Sequence, residues 1–260
     1  MCAGRPPNAT FLTVAWRPLA EWARAAPAWS AHVSASDTPF LRQLTRADAA
    51  ALLALLRRRK VARQNSVLRA GSAGDDLVVL LSGRVKLVAF GSERREVVLA
   101  IRGPGELIGE MAALGQQRRT ATAIALEDVE VGFMTAEEFR AYLGSHPAAA
   151  LILIRMLVRR LSEATREVVD LATQDSVGRV AKRLLDLAAD HGTATTNGTR
   201  IDLSLTQDDL ASWTGATRET VSRAMRLMRR LGWISTGNRS ITVLDAAAMR
   251  ERCGQEGATL

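Results

Sequence analysis

Aromatic side chains are scarce in this 260-residue chain, at 4% against a hydrophobic content of 47%. That balance describes a globular protein whose cores are built from Leu, Val and Ala. Cysteine is nearly absent: Cys2 and Cys253 stand near opposite ends, which excludes a disulfide framework and a thiolate cluster and suits a reducing, cytoplasmic setting. The same lack rules out an N-terminal iron–sulfur ligand set. The three histidines, His32, His146 and His191, are not at metal-ligand spacing, so no metal site is expected. Apolar runs are short, and Ala148–Ile154 is cut off by Arg155; no membrane span is expected. Neither a G-x-x-x-x-G-K loop nor a nucleophile–base arrangement occurs, so the chain is not expected to be an enzyme. An enzyme carrying a nucleotide-sensing domain is the alternative of that class.

Positive charge is what the chain does have, a formal +8. Residues 1–70 hold eleven Lys/Arg against three Asp/Glu, so the excess is N-terminal and includes the run Arg57–Lys60, read here as the solvated end of a helix. Residues 1–36, rich in Ala and Pro and holding Trp16, Trp22 and Trp29, lack a signal-peptide pattern and are expected to be a flexible extension. A short docked helix at Leu19–Ala26 stays open.

Thr45 and Asp48 are spaced as a capping box opening a helix. Beyond Lys60, DLVVLLSGRVKLVAF (Asp76–Phe90) gives two strands broken at Ser82-Gly83, followed by turn signals at GSERRE (91–96) and GPGEL (103–107). Short strands with regular turns predict a β-sandwich or roll. From Ala136 the pattern is helical, and Leu157, Leu161, Ala164, Val168 and Leu171 form a seam of four-three spacing that predicts a homodimer across a long helix. Asp175 is placed to cap a new helix at Val177–Ala189.

Thr206 and Asp209 make a second capping box, opening a helix over Gln207–Trp213. The turn Thr214-Gly215-Ala216 follows, and Thr217 caps a helix over Arg218–Leu231: a helix-turn-helix. Val221, Ala224, Met225, Met228 and Leu231 make its buried stripe; Arg218, Glu219, Ser222, Arg223 and Arg226 share the other face. The start of such a second helix enters the major groove of double-stranded DNA. The hairpin from Trp233 to Val243, turning at Gly237-Asn238, adds a wing.

Between the strands lies GEMAALGQQRRTAT (109–122), one helical turn framed by a carboxylate and two arginines. A helix start with small residues admits an anion close to the backbone, and Arg119 can grip a phosphate with both arms. Glu110 suits a sugar hydroxyl instead, which together describe a nucleotide. A plain Glu110–Arg119 ion pair explains the spacing equally well.

GELIGEMAAL…RRTAT resembles the phosphate-binding cassette of cyclic-nucleotide-binding domains. With the run from Arg159 to Leu185 and the reader TGATRETVSRAMRLM (214–228), the order of roll, long helix and winged helix-turn-helix is similar to the Crp/Fnr family of bacterial transcription regulators from about Pro39 to Val243. The resemblance implies an α+β fold: an N-terminal β-roll, a dimerisation helix and a C-terminal winged helix-turn-helix, over 37–147, 148–174 and 175–260. It implies that Gly109, Glu110 and Met111 meet the ribose side of a cyclic nucleotide, and Arg119 with Thr120 its phosphate. Arg160 pairs with Glu110, and Thr165 reaches the base from the partner subunit. Where cyclic-AMP receptors of the family often have two adjacent hydroxyl residues, this chain has Ala164 and Thr165. The resemblance makes cyclic AMP the leading ligand; cyclic GMP is the alternative, since Thr120 can offer its hydroxyl to a guanine amino group. For DNA the resemblance implies Thr206, Thr217, Arg218, Glu219, Ser222, Arg223 and Arg239 on a TGTGA-like inverted repeat, with RNA polymerase as a partner. A regulator of the same fold that binds DNA without a ligand, its cassette purely structural, is the other reading.

Overall fold

The computed structural model describes residues 39–91, 96–203, 205–237 and 240–254. The N-terminal extension with its alternative helix at Leu19–Ala26, the GSERRE tip and Arg239 lie outside them or at their edge. Two short helices come first, α1 (Phe40–Gln43) and α2 (Arg46–Leu55), the second capped by Thr45, whose side chain accepts from the Asp48 amide.

The chain then enters strands β1 (Arg57–Val61), β2 (Ser66–Leu68), β3 (Asp76–Ser82), β4 (Val85–Phe90), β5 (Glu96–Arg102) and β6 (Leu107–Ile108). After helix α3 (Glu110–Gly115) come β7 (Thr122–Ala125) and β8 (Val129–Thr135). They form two four-stranded antiparallel sheets, in the orders β1-β8-β3-β6 and β2-β7-β4-β5. The period of two explains why Leu77–Leu80 is unbroken hydrophobe. Val78 and Leu80 meet Val85, Ala123 and Val131 between the sheets, while Leu77 and Val79 meet Phe40, Phe139 and Met156 on the helical side.

The basic run is a correction to the sequence reading. Arg57–Lys60 is not helical but is the exposed edge strand β1, paired along its length with β8. Arg57 bonds Glu138, Arg58 bonds Glu130 at 3.3 Å, and the Arg59 guanidinium lies 4.2 Å from the Phe133 ring centre. Charged edge strands resist pairing with other chains.

Helix α4 (Ala136–Ser145) ends at His146, and Pro147 starts the 27-residue α5 (Pro147–Thr173) at a bend of 116°. Proline has no N–H to continue α4 but suits the first position of a new helix. No single described helix is long and apolar enough to cross a membrane. The predicted seam shifts at its start: Leu157 packs partly against the roll core, and the exposed apolar stripe is Leu151, Ile154, Val158, Leu161 and Val168.

The C-terminal part is α6 (Ser176–His191), β9 (Gly192–Thr195), β10 (Gly198–Ile201), α7 (Gln207–Thr214), α8 (Arg218–Arg230), β11 (Ile234–Gly237), β12 (Ser240–Val243) and α9 (Ala246–Arg252). Its core holds Val180, Leu184, Leu210, Val221, Met228 and Met249. Leu231 departs from the expected stripe and is 50% exposed, because α8 stops at Arg230 and Leu231 is already its C-cap. The observed architecture is the α+β order expected: roll, long helix, winged helix-turn-helix.

Candidate functional site

The turn after β5 delivers the chain through β6 to Gly109, whose φ of +89° is left-handed backbone open chiefly to glycine. A Cβ there would collide with Arg119 Nη1 and lie 2.9 Å from Leu68 Cδ1. Glu110 follows at 2% exposure. A buried carboxylate needs a cationic partner, and Arg160 of α5 supplies it: Nη1 donates to Glu110 Oε1 at 2.6 Å and Nη2 to the Leu107 carbonyl at 3.0 Å. The Glu110–Arg119 pair that spacing allowed is not formed.

Arg119 is 6% exposed, and its two arms differ. Nη2 donates to the Asp76 carbonyl at 2.6 Å and to the Asp76 carboxylate. Nη1, beside Gly109, has no hydrogen-bond partner among the described residues. Buried donors are almost always satisfied, so one pinned arm and one free arm fit an anion arriving at Gly109. Asp76 was not singled out from the sequence. Forty-three positions separate it from Arg119, and only the pairing of β3 within its sheet sets it there.

The remaining cassette residues are not gathered with these. Met111 is 60% exposed; Thr120 is exposed, as is Thr165, whose hydroxyl donates to the Leu161 carbonyl at 2.9 Å. A row of alternating charge continues away from the site: Glu110, Arg160, Glu106 and Arg102, with Arg160 3.6 Å from Glu106 and Arg102 3.4 Å from it. Burial pulls the Arg102 pKa below its ordinary value, against the opposing pull of Glu106. Gly109→Ala is expected to cost about 1–2 kcal/mol in backbone strain and to push Arg119 off its seat. Thermal melting should fall by a few degrees while nucleotide binding is lost in calorimetry, and unchanged binding would contradict the geometry.

In the reader, Thr206 and Asp209 complete a reciprocal capping box, and Gly215 ends α7 at φ +62°. Thr217 caps α8 through the Thr220 amide at 3.2 Å. The polar face of α8 is open: Arg218, Glu219, Arg223 and Arg226 are exposed and Ser222 is half-buried. Arg218 stands 3.4 Å from Asp208, but both are about two-thirds exposed, so the pair holds Arg218 weakly.

The junction of α5 and α6 is tied by ion pairs. Lys182 bonds Asp170, Arg183 bonds Glu167 at 2.8 Å, and Arg252 bonds Asp175. Asp175 caps α6 through the Gly178 amide at 2.7 Å, and that bond, then Arg252, holds its pKa below the ordinary carboxylate value. Arg183 also lies 4.2 Å from the Trp213 ring centre on α7, linking the long helix to the reader.

Two families match. Residues 58–146 match the cyclic nucleotide-binding domain, and residues 178–252 the Crp-like helix-turn-helix domain. The chain is 33% identical over 190 residues to the CRP-like cAMP-activated global transcriptional regulator of Mycobacterium tuberculosis, covering 73% of this chain and 85% of that protein. It is 31% identical over 214 residues to the cyclic AMP receptor protein of Thermus thermophilus, covering 82% and 96%. A solved CRP-family transcriptional regulator, also from Thermus thermophilus, superposes with a TM-score of 0.64 at 26% identity, over 75% of this chain and 96% of the other. The c-di-GMP responsive global regulator CLP of Xanthomonas campestris, at 24% identity and a TM-score of 0.67 over 77% and 100%, shares the fold.

Proposed function

Since the chain belongs to the Crp/Fnr family of cyclic-nucleotide-binding, DNA-binding transcription regulators, we propose that it acts as a homodimer whose reading heads are oriented by cyclic AMP and bind a TGTGA-like inverted repeat. The observation that carries the ligand half is the free Nη1 of buried Arg119 beside Gly109. In this reading Nη1 takes the cyclic phosphate, with Thr120 at the rim. Gly109, Glu110 and Met111 take the ribose side, and Thr165 of the partner subunit takes the base. Arg160 pairs with Glu110 and joins the pocket to the dimer helix. The roll spans 37–147, the dimerisation helix 148–174 and the reader 175–260. The RNA polymerase contact, like the homodimer itself, is part of the proposal. Ligand changes DNA affinity only through unequal affinity for two arrangements of the heads.

Calorimetric titration with cyclic AMP and cyclic GMP, each with and without operator DNA, tests the ligand half. Saturable binding of neither nucleotide overturns it. Cyclic GMP is the second reading because the Thr120 hydroxyl is exposed and available to a guanine amino group.

For DNA, the capped start of α8 meets base edges. Arginine suits guanine O6/N7 and glutamate accepts from cytosine N4, which assigns reading to Arg218, Glu219 and Arg223, with Ser222 beside them and Thr206 and Thr217 at the phosphates. Arg239, outside the described residues, is assigned to phosphate at the wing. Glu219→Ala should relax preference at one base pair of the half-site, worth roughly 1–3 kcal/mol. Selection from randomised duplexes checks this: the same site returned at the same stringency removes α8 from base reading.

A further inference from the structure

The reader does not hang from α5 alone. Strand β5 is the last strand of its sheet, with an edge left open by β4, and helix α7 covers that edge. The Val98 amide donates to Ser212 Oγ at 3.1 Å, and the Ser212 hydroxyl donates to the Glu96 carbonyl. Ile101 and Leu126 of the roll sit in the reader's own core cluster. At the centre Lys86 of β4 donates to Asp209 of α7 at 2.6 Å and to Glu96 at 2.7 Å. Its side chain is 15% exposed and that of Asp209 is 9% exposed. Burial lowers the Lys86 pKa, but the bonds to Asp209 and Glu96 outweigh it and leave it raised. Burial raises that of Asp209, and Lys86 and Thr206 together bring it below its ordinary value.

We propose that Lys86, a roll residue outside the reading helix, is a positioning residue for DNA reading: its bridge to Asp209 seats α7 on β5 and thereby aims α8. The proposal rests on the assignment of α8 as the reading helix. Asp209 is the third helical residue of α7 and closes its capping box, so Lys86 grips the reader at the helix start from which α8 is set. With the bridge closed Arg218, Glu219 and Arg223 stay exposed, and Arg218 lines a cleft together with Arg63 and Gln64 of the roll. Losing the seat costs the head its fixed direction. Strand β5 also runs straight into the cassette: its last residue, Arg102, and Glu106 in the following turn continue the charged row from Arg160.

Lys86→Met keeps the length of the side chain and removes its charge. The Asp209 carboxylate, 9% exposed and left without its cation, gains by moving into water, which favours undocking rather than unfolding, because the Thr206 cap stays intact. The test measures affinity of the full chain for the duplex that selection with the wild type returns, with and without cyclic AMP. The expected result is an affinity roughly tenfold lower, the equivalent of one charge-assisted hydrogen bond. Cyclic AMP affinity of the DNA-free protein and the salt slope should both be unchanged, and Lys86→Arg should recover most of the loss. Ser212→Ala, which spares the charges, should lose less in the same direction and keeps the test open if Lys86→Met folds poorly. Wild-type DNA affinity in both Lys86→Met and Ser212→Ala overturns the proposal, as does a Lys86→Arg variant no better than Lys86→Met. A wild type that ignores cyclic AMP sinks the ligand reading instead, while the loss of affinity measured without nucleotide still reports the seat.

Discussion

Arg119→Ala is expected to abolish cyclic-nucleotide binding and leave the fold intact. The wild-type guanidinium is 6% exposed, with Nη2 fixed by Asp76 and Nη1 directed at Gly109. Truncating one side of such a charge pair costs about 2–5 kcal/mol, a loss of roughly 30-fold to several thousand-fold in affinity. Folding is spared because the partner left behind, Asp76, is already 43% exposed and can be hydrated. Arg119→Lys should restore only part of the affinity, since an ammonium cannot hold Asp76 with one arm and a phosphate with the other. Calorimetry gives the affinities and thermal melting the control. Wild-type binding by Arg119→Ala would remove the cassette from ligand recognition.

Leu161→Lys is expected to break the proposed dimer. Leu161 is 69% exposed within one chain and sits in the stripe of Leu151, Ile154, Val158 and Val168, four more apolar side chains open to water on one helix. A two-fold interface repeats each substitution, so two ammonium groups enter the same seam. Each costs several kcal/mol if buried unpaired, which weakens the dimer by two orders of magnitude or more. The subunit fold is untouched, because Leu161 belongs to none of its three cores. Sedimentation should show monomers, and binding to the inverted repeat should fall with them. A dimer that persists with normal DNA binding places the interface elsewhere.

What the sequence made legible is what neighbours in the chain decide. The caps at Thr45, Asp175, Thr206 and Thr217 each act over three residues, and all four were readable from spacing. So was the break at Gly83 and the polar face of α8. The ion pair of Arg160 with Glu110 spans fifty residues and came from resemblance, not from spacing. Asp76 on Arg119 and Lys86 on Asp209, the latter 123 positions apart, were not read at all. An Asp opening a strand and a Lys within one carry no local mark of their partners. The run Arg57–Lys60 misled for a related reason. Four charged residues have no hydrophobic period, so nothing local separates a solvated helix from an edge strand whose partners, Glu130 and Glu138, arrive some seventy to eighty residues later. Leu157 and Leu161 fit one heptad on paper. The bend at His146 rotates α5 so that the first faces its own roll and the second faces outward.

The cover that α7 gives to β5 also bears on how this chain can be divided. Cut ahead of α6, the roll would present a bare strand edge, the Val98 amide and Glu96 carbonyl unmatched, next to Val97, Leu99 and the newly uncovered Ile101 and Leu126. An apolar open edge is a template for pairing with another chain. Lys86, one of the charges at that margin, loses Asp209 in the same cut. The reader freed by that cut is short of two of its own core side chains. Roll and reader thus share a wall, and neither half is finished without the other.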